Sequence, residues 1–323
     1  MPILCDSILI TGCGGDIGQS ICKAINDAKI TRQVIGCDIH SKHMGLEIFN
    51  KCEIVPLARA DDYFGKLKKI IEFNKVKLVI PSTEDEIEIF LNAGYDKKIG
   101  ETTVIMASKG AISIGLDKLK TVNFLKENNL KYPWSYNVSD ARPDDLPCIL
   151  KMRRGQGSKN LRIVEHELEI DLYQKLRQDD IWQELLLPDE EEYTCGLYRT
   201  LDGEVRTVVI NRIMKDGFTS YGTVVEDHAI DDYIKSIAIN INLHGSINVQ
   251  LRKTNDGPVA FEINPRFSST VFFRHLMGYQ DIIWSIKESL GKKLEPFNAV
   301  QPGIIFYRGT QEYIIKNNKK GLS

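Results

Sequence analysis

The chain has 323 residues, of which 42% are hydrophobic and 27% are charged, and its formal net charge is −2. This composition excludes a disordered or fibrous chain and leaves room for two or three domains with hydrophobic cores. The small negative charge argues against a general nucleic-acid binder, which presents a basic surface. No apolar run approaches the roughly 18 to 20 residues that cross a bilayer, and residues 1–10 lack the features of a signal peptide. We therefore expect a cytoplasmic protein without membrane contact.

Strand and helix patterns alternate with short links along the first hundred residues. The predicted elements are a strand at 7–11, a helix at 17–29, a strand at 33–38, a helix at 63–74, a strand at 78–81, a helix at 84–93 and a strand at 103–106. Such alternation indicates a parallel sheet that is covered by helices. We therefore expect an α/β first domain, Rossmann-like, over residues 1–110.

A glycine-rich turn, Gly12-Cys13-Gly14-Gly15-Asp16-Ile17-Gly18, joins the first predicted strand to the first helix. Asp38 ends the next strand 20 residues after Gly18, which is the spacing of a dinucleotide-binding fingerprint. The plainer interpretation is that a strand turning tightly into a closely packed helix requires glycines. No tyrosine has a lysine four positions later, so the catalytic pair of a short-chain reductase is missing. An NAD(P)-dependent reductase is kept as an alternative function.

The seven cysteines include no Cys-x-x-Cys pair, and several lie in segments that are predicted to be buried. This usage indicates reduced thiols that serve packing. Cys37, His40, His43 and Cys52 could be assembled into a zinc site, but their spacing matches no familiar zinc pattern. The segment that contains them is predicted to be a polar loop after a strand. We therefore expect neither a disulfide framework nor zinc.

Residues 111–190 are predicted to form a small α+β unit. Its elements are a helix at 117–128, a strand at 148–152, a strand at 161–164, a helix at 167–178 and a strand at 181–186. Lys151 lies at the end of a buried strand, and the loop Gly155-Gln156-Gly157-Ser158-Lys159 follows it. Glycine backbone N–H groups can approach phosphate oxygens while the lysine neutralises their charge, so the segment predicts a phosphate cradle. A solvated basic loop is the alternative.

Residues 191–323 change to antiparallel strands. The predicted elements are strands at 193–200, 205–214, 246–253, 259–264 and 303–307, turns at 201–203 and 216–217, and helices at 231–243, 269–277 and 280–290. The pattern contains no internal repeat. The pattern therefore predicts antiparallel strands with accompanying helices.

A hairpin in this last unit brings oxygen donors together. Glu262 and Asn264 alternate along one strand and share a face, and a turn at 255–258 places Gln250 beside them. Such donors suit magnesium that bridges substrate phosphates, and Arg266 just beyond the strand could hold a transferring phosphoryl group. Taken alone the pattern is also that of a solvated strand edge.

The order of these motifs resembles the ATP-grasp superfamily, in particular single-unit relatives of the carbamoyl phosphate synthetase large subunit. The resemblance covers about nine-tenths of the chain, and it passes through Asp117-Lys118, residues 147–151, residues 155–159, residues 183–186, Glu192, Gln250 and residues 262–266. Each motif is weak alone, but their order and spacing are specific. The resemblance implies a Rossmann-like pre-ATP-grasp domain followed by a two-subdomain α+β ATP-grasp fold, with a small lid subdomain at 111–190 and a large subdomain at 191–323.

The resemblance also implies a nucleotide site. Its residues would be Lys118, Lys151, Gly155, Gly157, Ser158, Glu184, Leu186 and Glu192. Lys118 and Lys151 would contact the phosphates of ATP. Glu184 would bind the adenine amino group, with the backbone around Leu186 completing the hinge, and Glu192 would bind the ribose.

A metal site and two catalytic residues are implied in the same way. Gln250, Glu262 and Asn264 would hold two Mg²⁺ ions, which Mn²⁺ could replace. Arg266 would stabilise the phosphoryl transition state, and Lys151 would assist it. Gln250 stands where the superfamily usually has an acidic ligand, so the site depends more on phosphate oxygens.

The activity that the resemblance implies is ATP-dependent activation of a carboxylate as an acyl phosphate. An amine or similar nucleophile then attacks it, and ADP and phosphate are released. A true carbamoyl phosphate synthetase is not expected, because its large chain carries two such units. The expected partners are small-molecule carboxylate and amine substrates and a second copy in a homodimer. A non-catalytic ATP-binding regulator is the second alternative function.

The identity of the acceptor is not encoded in any motif. Residues expected to face it are Arg206, Arg212, Lys215, Tyr221 and the segment 81–85.

Overall fold

The computed structural model describes residues 2–155, 160–215, 217–311 and 313–314. The predicted cradle residues Gly157 and Ser158 and the predicted turn residue Asp216 lie outside the described residues. Within the described ranges the strands form three sheets, which follow one another along the chain. None of the described helices is both long enough and apolar enough to span a lipid bilayer.

The first sheet is mainly parallel and is covered by helices on both faces. Its strands are β1 (Cys5–Thr11), β2 (Thr31–Asp38), β3 (Lys51–Ile54), β4 (Leu78–Ile80), β5 (Lys98–Ile99) and β6 (Thr102–Val104), and its helices are α1 (Asp16–Ala28), α2 (Gly45–Ile48), α3 (Tyr63–Phe73) and α4 (Glu84–Asn92). The strand order is β3-β2-β1-β4-β6-β5, and only the β5–β6 pair is antiparallel. Ile8 and Ile10 pack towards α1, whereas Leu9 packs towards α3, so β1 is apolar on both faces.

Strand β3 corrects a prediction. The sequence predicts a polar loop around Cys52, but residues 51–54 pair with β2, and Cys52 lies opposite Gly36. The strand is short and charged, with Lys51 and Glu53 forming an ion pair of 2.6 Å. Charged edge strands carry little of the hydrophobic alternation on which strand prediction depends, which is why this one was missed.

Helices α5 (Lys109–Gly115) and α6 (Lys118–Glu127) come next in the chain. Their apolar residues Ala111, Ile112, Phe124 and Leu125 are packed in the core of the sheet that the last third of the chain forms. The predicted boundary at 110/111 falls inside α5, so a division at that point would cut a helix. The division into three units stays a prediction.

The second sheet is small and antiparallel. Its elements are β7 (Ser135–Asn137), β8 (Cys148–Met152), β9 (Arg162–Val164), α7 (Glu167–Leu176) and β10 (Asp180–Glu184), and the strand order is β7-β10-β8-β9. Cys148, Leu150 and the fully buried Trp182 pack on one face, where Ile170 of α7 covers them. The other face of β8 therefore carries the alternate residues, including Lys151.

The third sheet is antiparallel and has helices on both faces. Its elements are β11 (Glu192–Arg199), β12 (Val205–Lys215), β13 (Phe218–Val224), α8 (His228–Asn240), β14 (Gly245–Thr254), β15 (Gly257–Asn264), α9 (Val271–Leu276), α10 (Asp281–Ser289) and β16 (Ile305–Tyr307), and the strand order is β15-β14-β11-β12-β13-β16. Leu197 faces the core that holds α5, α6 and α8, whereas Tyr198 faces Trp284 of α10. Strand β13 is not among the strands that the sequence predicts.

The first and third sheets share a core. Ile21 and Ile25 of α1 pack with Val271 of α9 and with Ile282 and Ile286 of α10. This contact holds the glycine-rich turn before α1 over one end of the third sheet. It explains how two units that are distant in sequence can form one site.

Gly18 provides a test of the packing around that turn. A Cβ atom at Gly18 would lie 2.6 Å from the carbonyl oxygen of Gly12 and 3.1 Å from the Cα of Cys13. We expect Gly18→Ala to lower the free energy of unfolding by about 1–3 kcal/mol, because backbone atoms cannot move aside. Exposed Gly65 in α3 is the control: a Cβ there meets nothing within 4 Å, so Gly65→Ala should stabilise by about 0.5–1 kcal/mol. Urea unfolding measures both, and equal free energies for the two variants would contradict the packing role of Gly18.

Candidate functional site

Two adjoining cavities lie between the sheets of the fold. The first has a volume of about 340 Å³ and lies between the second and third sheets. The second has a volume of about 290 Å³ and lies between the glycine-rich turn of the first sheet and the third sheet. The residues that line both cavities are Arg212, Met214, Gly217, Gln250 and Glu262. The two cavities therefore meet at the end of the predicted metal-binding hairpin.

The predicted site residues that the structure describes all line these cavities. Those in the first cavity are Lys118, Lys151, Gly155, Glu184, Leu186, Glu192, Gln250 and Glu262. Those in the second cavity are Gln250, Glu262, Asn264 and Arg266. Six helices and strands contribute, namely α6, β8, β10, β11, β14 and β15, together with the loops after β8, β10 and β15, so only the folded chain brings these residues together.

The predicted hairpin is confirmed. Gln250 of β14 lies directly opposite Glu262 of β15, and Asn248 lies opposite Asn264. A β-bulge follows, since Leu251 pairs with Ala260 and the residue between, Phe261, has no partner in the register. The bulge allows the neighbouring residues Phe261 and Glu262 both to line the first cavity.

Lys151 projects from β8 into the first cavity and is almost fully buried. Its Nζ donates to the carbonyl oxygen of Phe261 at 3.4 Å and lies 5.5 Å from the centre of the Phe261 ring. Burial lowers the pKa of Lys151 to about 7; the carboxylate of Glu262 opposes this shift, and the ammonium of Lys118 adds to it. A bound anion would restore the charge on this lysine.

Lys118 begins α6 and reaches the same cavity. Asp117 caps the helix, as its side chain accepts from the N–H groups of Leu119 and Lys120, and it also pairs with Arg153 at 2.9 Å. The Nζ of Lys118 donates to the carbonyl oxygen of Gly155 at 2.8 Å and lies 3.4 Å from Oε1 of Glu262. The cap therefore fixes the start of the helix, from which the lysine extends over the beginning of the predicted cradle.

Glu262 is surrounded by positive charge. Burial pushes the pKa of its carboxyl upward, but nearby cations outweigh burial and hold the pKa below its ordinary value. Those cations are Lys118, Lys151, Arg266 and Arg212. The carboxylate is therefore ionised at neutral pH, and the positive surplus around it suits a polyanion.

Arg212 links the two cavities, and the sequence had assigned it only to the acceptor side. Its guanidinium donates to Oε1 of Glu192 at 2.7 and 3.0 Å and to Oε1 of Gln250 at 2.9 Å. Arg252, which was missed, donates to the other oxygen of Glu192 at 2.7 Å and to the carbonyl oxygen of Leu186. Its position two residues after Gln250 on one strand was the available signal. Glu192 thus accepts from two arginines. A ribose hydroxyl that binds Glu192 would share this carboxylate with both guanidinium groups.

The strand that precedes the predicted hinge is shorter than the predicted range 181–186. Strand β10 ends at Glu184 and not at Leu186, and Oε2 of Glu184 accepts from the backbone N–H of Trp134 at 3.2 Å. Leu186 is buried beyond the strand end and lines the first cavity. The other oxygen of Glu184 has no protein donor among the described hydrogen bonds, so a ligand can reach it.

Arg266 is held by two oxygen groups beside the second cavity. Its Nη2 donates to Oδ1 of Asn264 at 2.9 Å, and its Nε lies 3.3 Å from Oε1 of Glu84 at the start of α4. Burial raises the pKa of Glu84, and the charge of Arg266 opposes that rise. The first sheet thus contributes a carboxylate that orients the arginine.

The acceptor-side expectations are met only in part. Ser82 and Thr83 line the second cavity together with Arg212. Arg206 does not: its guanidinium stacks on Trp284 at 4.7 Å and faces a different cavity. The expectation for Arg206 was wrong because alternation identifies the face of a strand but not the position along it.

Comparison with known proteins gives a consistent result. A family model described as "ATP-grasp in the biosynthetic pathway with Ter operon" matches residues 183–311. Over these residues the chain is similar to that ATP-grasp family. The carbamoyl phosphate synthase large chain of Methanosphaerula palustris is 24% identical over 267 residues, covering 75% of this chain and 24% of that protein. The chain therefore spans about a quarter of the length of this curated relative.

Solved structures show the fold. The ADP complex of N5-carboxyaminoimidazole ribonucleotide synthetase superposes with a TM-score of 0.72 at 16% identity, covering 92% of this chain and 80% of that one. The L-amino acid ligase of Bacillus licheniformis superposes with a TM-score of 0.68 at 14% identity, covering 88% of this chain and 74% of that one. The mixed α/β ATP-grasp fold that the motif order predicted is confirmed.

The oxygen donors of this candidate site fit a divalent cation. Oε1 of Gln250 accepts from Arg212, and Oδ1 of Asn264 accepts from Arg266. Glu262 is the third donor, and it pairs with Lys118. Each of the three side chains thus has one oxygen that faces a cationic group. One carboxylate and two amide groups supply the hard oxygen ligands that magnesium takes.

The glycine-rich turn has packing reasons for its composition. The carboxylate of Asp38 accepts from the N–H groups of Gly14 and His40, at 2.8 and 3.0 Å. A Cβ at Gly12 would lie 2.7 Å from Oγ of Ser82. Asp38 is therefore engaged where a dinucleotide would need it for a ribose, and the reductase alternative has no support from the structure.

Proposed function

We propose that the protein is an ATP-dependent ligase that activates a carboxylate as an acyl phosphate for attack by an amine or similar nucleophile. The single observation that carries the proposal is the meeting of the two cavities at Glu262 and Gln250. One cavity is lined by the predicted nucleotide residues, and the other by polar loops of the first and third sheets. Such a junction suits transfer of a phosphoryl group between two bound molecules.

The first cavity would hold ATP. Lys118, Lys151 and the cradle beginning at Gly155 would bind its phosphates, and Glu184 and Leu186 would bind the adenine. The known ligand of a structural neighbour is consistent, since the N5-carboxyaminoimidazole ribonucleotide synthetase was solved as an ADP complex. The positive charge around Glu262 supports placing the γ-phosphate at the junction.

Gln250, Glu262 and Asn264 would bind the magnesium that accompanies the nucleotide, with two ions proposed and Mn²⁺ able to replace them. When bound, the metal neutralises charge on the transferring phosphoryl group. Arg266 supplies a further positive charge at the same place, and its contacts with Glu84 and Asn264 hold it in position before substrate arrives.

The second cavity would hold the acceptor. A carboxylate oxygen of the acceptor attacks the γ-phosphorus, and the bond to ADP breaks. The amine nitrogen then attacks the acyl carbon, phosphate leaves with the bonding electrons, and the nitrogen loses a proton. Arg212 at the junction and Arg266 beside it provide the cations that a carboxylate needs in this cavity.

The unit at 1–110 is proposed as a Rossmann-like pre-ATP-grasp domain whose glycine-rich turn forms a wall of the acceptor cavity. Gly12, Gly15, Asp16 and Ile17 of this turn line that cavity. The units at 111–190 and 191–323 are proposed as the lid and large subdomains, and a homodimer is proposed as the assembly.

Nucleotide choice tests the proposal at its first step. Calorimetric titration of the full chain with Mg-ATP and with NAD(P) should show binding of ATP that ADP displaces, and no binding of NAD(P). Binding of NAD(P) without ATP would overturn the proposal in favour of the reductase. ATP binding without turnover on any acid and amine would instead indicate the regulator.

The pKa of Lys151 predicts how ATP affinity depends on pH. Because burial lowers that pKa to about 7, most of the free protein carries a neutral Lys151 above this pH, whereas bound phosphates favour the charged form. ATP binding should therefore take up a proton, and affinity should fall between pH 7.5 and 9, approaching tenfold per pH unit. Phosphate groups themselves titrate near pH 6, below this window.

Two lysine variants show whether Lys151 causes the pH dependence of ATP affinity. Lys151→Met should bind ATP more weakly at pH 7 and should lose the fall in affinity at higher pH. Lys120→Met, which removes an exposed lysine from the same stretch of α6 as Lys118, should keep it. Calorimetry in two buffers of different ionisation enthalpy counts the proton directly. The same pH dependence in Lys151→Met and in the wild type would remove Lys151 from the phosphate site.

A further inference from the structure

Three metal-ligating side chains meet beneath the glycine-rich turn, outside the two cavities already described. They are Cys13 in the turn, His43 before α2 and Cys52 in β3, and their ligand atoms all lie within 4.8 Å of one another. Sγ of Cys13 is 3.9 Å from Sγ of Cys52 and 3.9 Å from Nε2 of His43.

This set differs from Cys37, His40, His43 and Cys52, the residues from which the sequence could assemble a zinc site. Cys37 packs in the core towards α3, and His40 is exposed, so neither joins the cluster. His43 and Cys52 remain, and Cys13 takes the third place. The spacing within residues 37–52 matches no zinc pattern, because one of the three ligands, Cys13, lies outside this segment in the turn after β1.

The distances suit zinc. Zinc lies about 2.3 Å from a cysteine sulfur and about 2.0–2.1 Å from a histidine nitrogen. Two sulfurs 3.9 Å apart would then subtend an angle of about 115° at the metal, close to the tetrahedral value. Rotation of the half-buried imidazole of His43 closes the longest edge of the triangle. Water would take the fourth position, as in zinc sites with three protein ligands.

The surrounding backbone is shaped around these side chains. A Cβ at Gly36 would lie 2.7 Å from Sγ of Cys13, and a Cβ at Gly45 would lie 2.8 Å from Nδ1 of His43. Glycines in β2 and α2 thus permit a close approach that other residues would prevent. Nδ1 of His43 is also buried and has no hydrogen-bond partner among the described residues, so the ring is placed without the partner that a packed histidine normally has.

We propose that Cys13, His43 and Cys52 bind one zinc ion that braces the glycine-rich turn. Two thiolates and an imidazole form a ligand set that favours zinc over magnesium or calcium. Both cysteines lose a proton when the ion binds. Gly12 and Gly15 beside Cys13 line the acceptor cavity, so the ion would stiffen one wall of that cavity without contacting the reacting groups. The proposal does not depend on the ligase activity.

Cobalt titration of the full chain tests this site. Tag-free protein is kept reduced with a non-thiol reductant, freed of metal with a chelator and titrated with Co²⁺. We expect one equivalent to bind with a thiolate-to-cobalt charge-transfer band and the visible absorption of tetrahedral cobalt, and we expect Zn²⁺ to displace it. Zinc should also raise the melting temperature, because it binds the folded chain.

Three variants identify the ligands. His43→Gln and Cys52→Ser should each weaken cobalt binding by at least roughly tenfold and reduce the charge-transfer band. Cys148→Ser removes a buried thiol of the second sheet and should leave the titration unchanged. Circular dichroism checks folding, and His43→Gln decides the question should Cys52→Ser unfold, because His43 is only half-buried on a loop. A wild-type titration without a thiolate band, or an equal band in His43→Gln, would overturn the proposal.

Discussion

Glu262→Gln is expected to lower kcat/KM for ATP turnover by roughly 10³-fold or more while the protein stays folded. Glu262 is the only carboxylate among the three proposed metal-binding residues, and its register partner Gln250 cannot replace the lost charge. A metal contact of this kind is worth several kcal/mol, and each 1.4 kcal/mol corresponds to about a factor of ten in rate. ADP release under saturating magnesium measures the effect.

A matched control is Glu204→Gln. Glu204 pairs with Arg206 at 2.7 Å just before β12, and the pair lies away from both functional cavities. This variant should turn over ATP like the wild type, which separates loss of a glutamate from loss of the site. Full turnover by Glu262→Gln would remove the magnesium assignment, provided that circular dichroism shows both variants folded.

Arg266→Gln should lower kcat by about 10²–10³-fold while the affinity for ATP changes by no more than about threefold. The guanidinium lies beside the junction and not in the first cavity, and Glu84 and Asn264 hold it there. A fixed charge that acts on the transferring group contributes mainly in the transition state. Single-turnover kinetics, together with ATP titration, separate the two quantities.

Arg199→Gln is the control for this second variant. Arg199 binds Asn242 at 2.8 Å at the far end of β11, away from the two cavities, and its loss should leave kcat unchanged. A variant Arg266→Gln that loses ATP affinity and keeps kcat would assign the arginine to ground-state binding and contradict its catalytic role.

The sequence predicted much of the site because alternation along strands is a local property. Glu262 and Asn264 were placed on one face, and a turn of standard composition placed Gln250 beside them, as the register shows. Lys151 was placed at the end of a buried strand, and its neighbours Cys148 and Leu150 do occupy the core face of β8. These inferences needed only the period of two and the turn chemistry.

Other features depend on contacts that no local pattern contains. The bulge at Phe261 brings a ring under Lys151, and a bulge is set by the pairing of two strands and not by either one. The two arginines on Glu192 come from β12 and β14, which flank β11 in the sheet. Strand order had to be known before these ion pairs could be predicted.

The packing of the helices before the second sheet could not be predicted for a related reason. Helix α6 follows α5 and precedes the second sheet in sequence, yet Phe124 and Leu125 pack in the core of the third sheet. An amphipathic pattern identifies an apolar face but not the surface that buries it. The proposed lid at 111–190 therefore includes helices that pack on the third sheet.

Hydroxylamine trapping tests directly whether the protein forms an acyl phosphate from a carboxylate and ATP. The full chain is incubated with Mg-ATP, hydroxylamine and a panel of carboxylic acids, and ADP and hydroxamate are measured together. We expect acid-dependent ADP release with an equal amount of hydroxamate, both lost in Glu262→Gln, because hydroxylamine intercepts an acyl phosphate. ADP release that no acid stimulates, or acid-stimulated release without hydroxamate, would contradict phosphoryl transfer to a carboxylate at the junction of the two cavities.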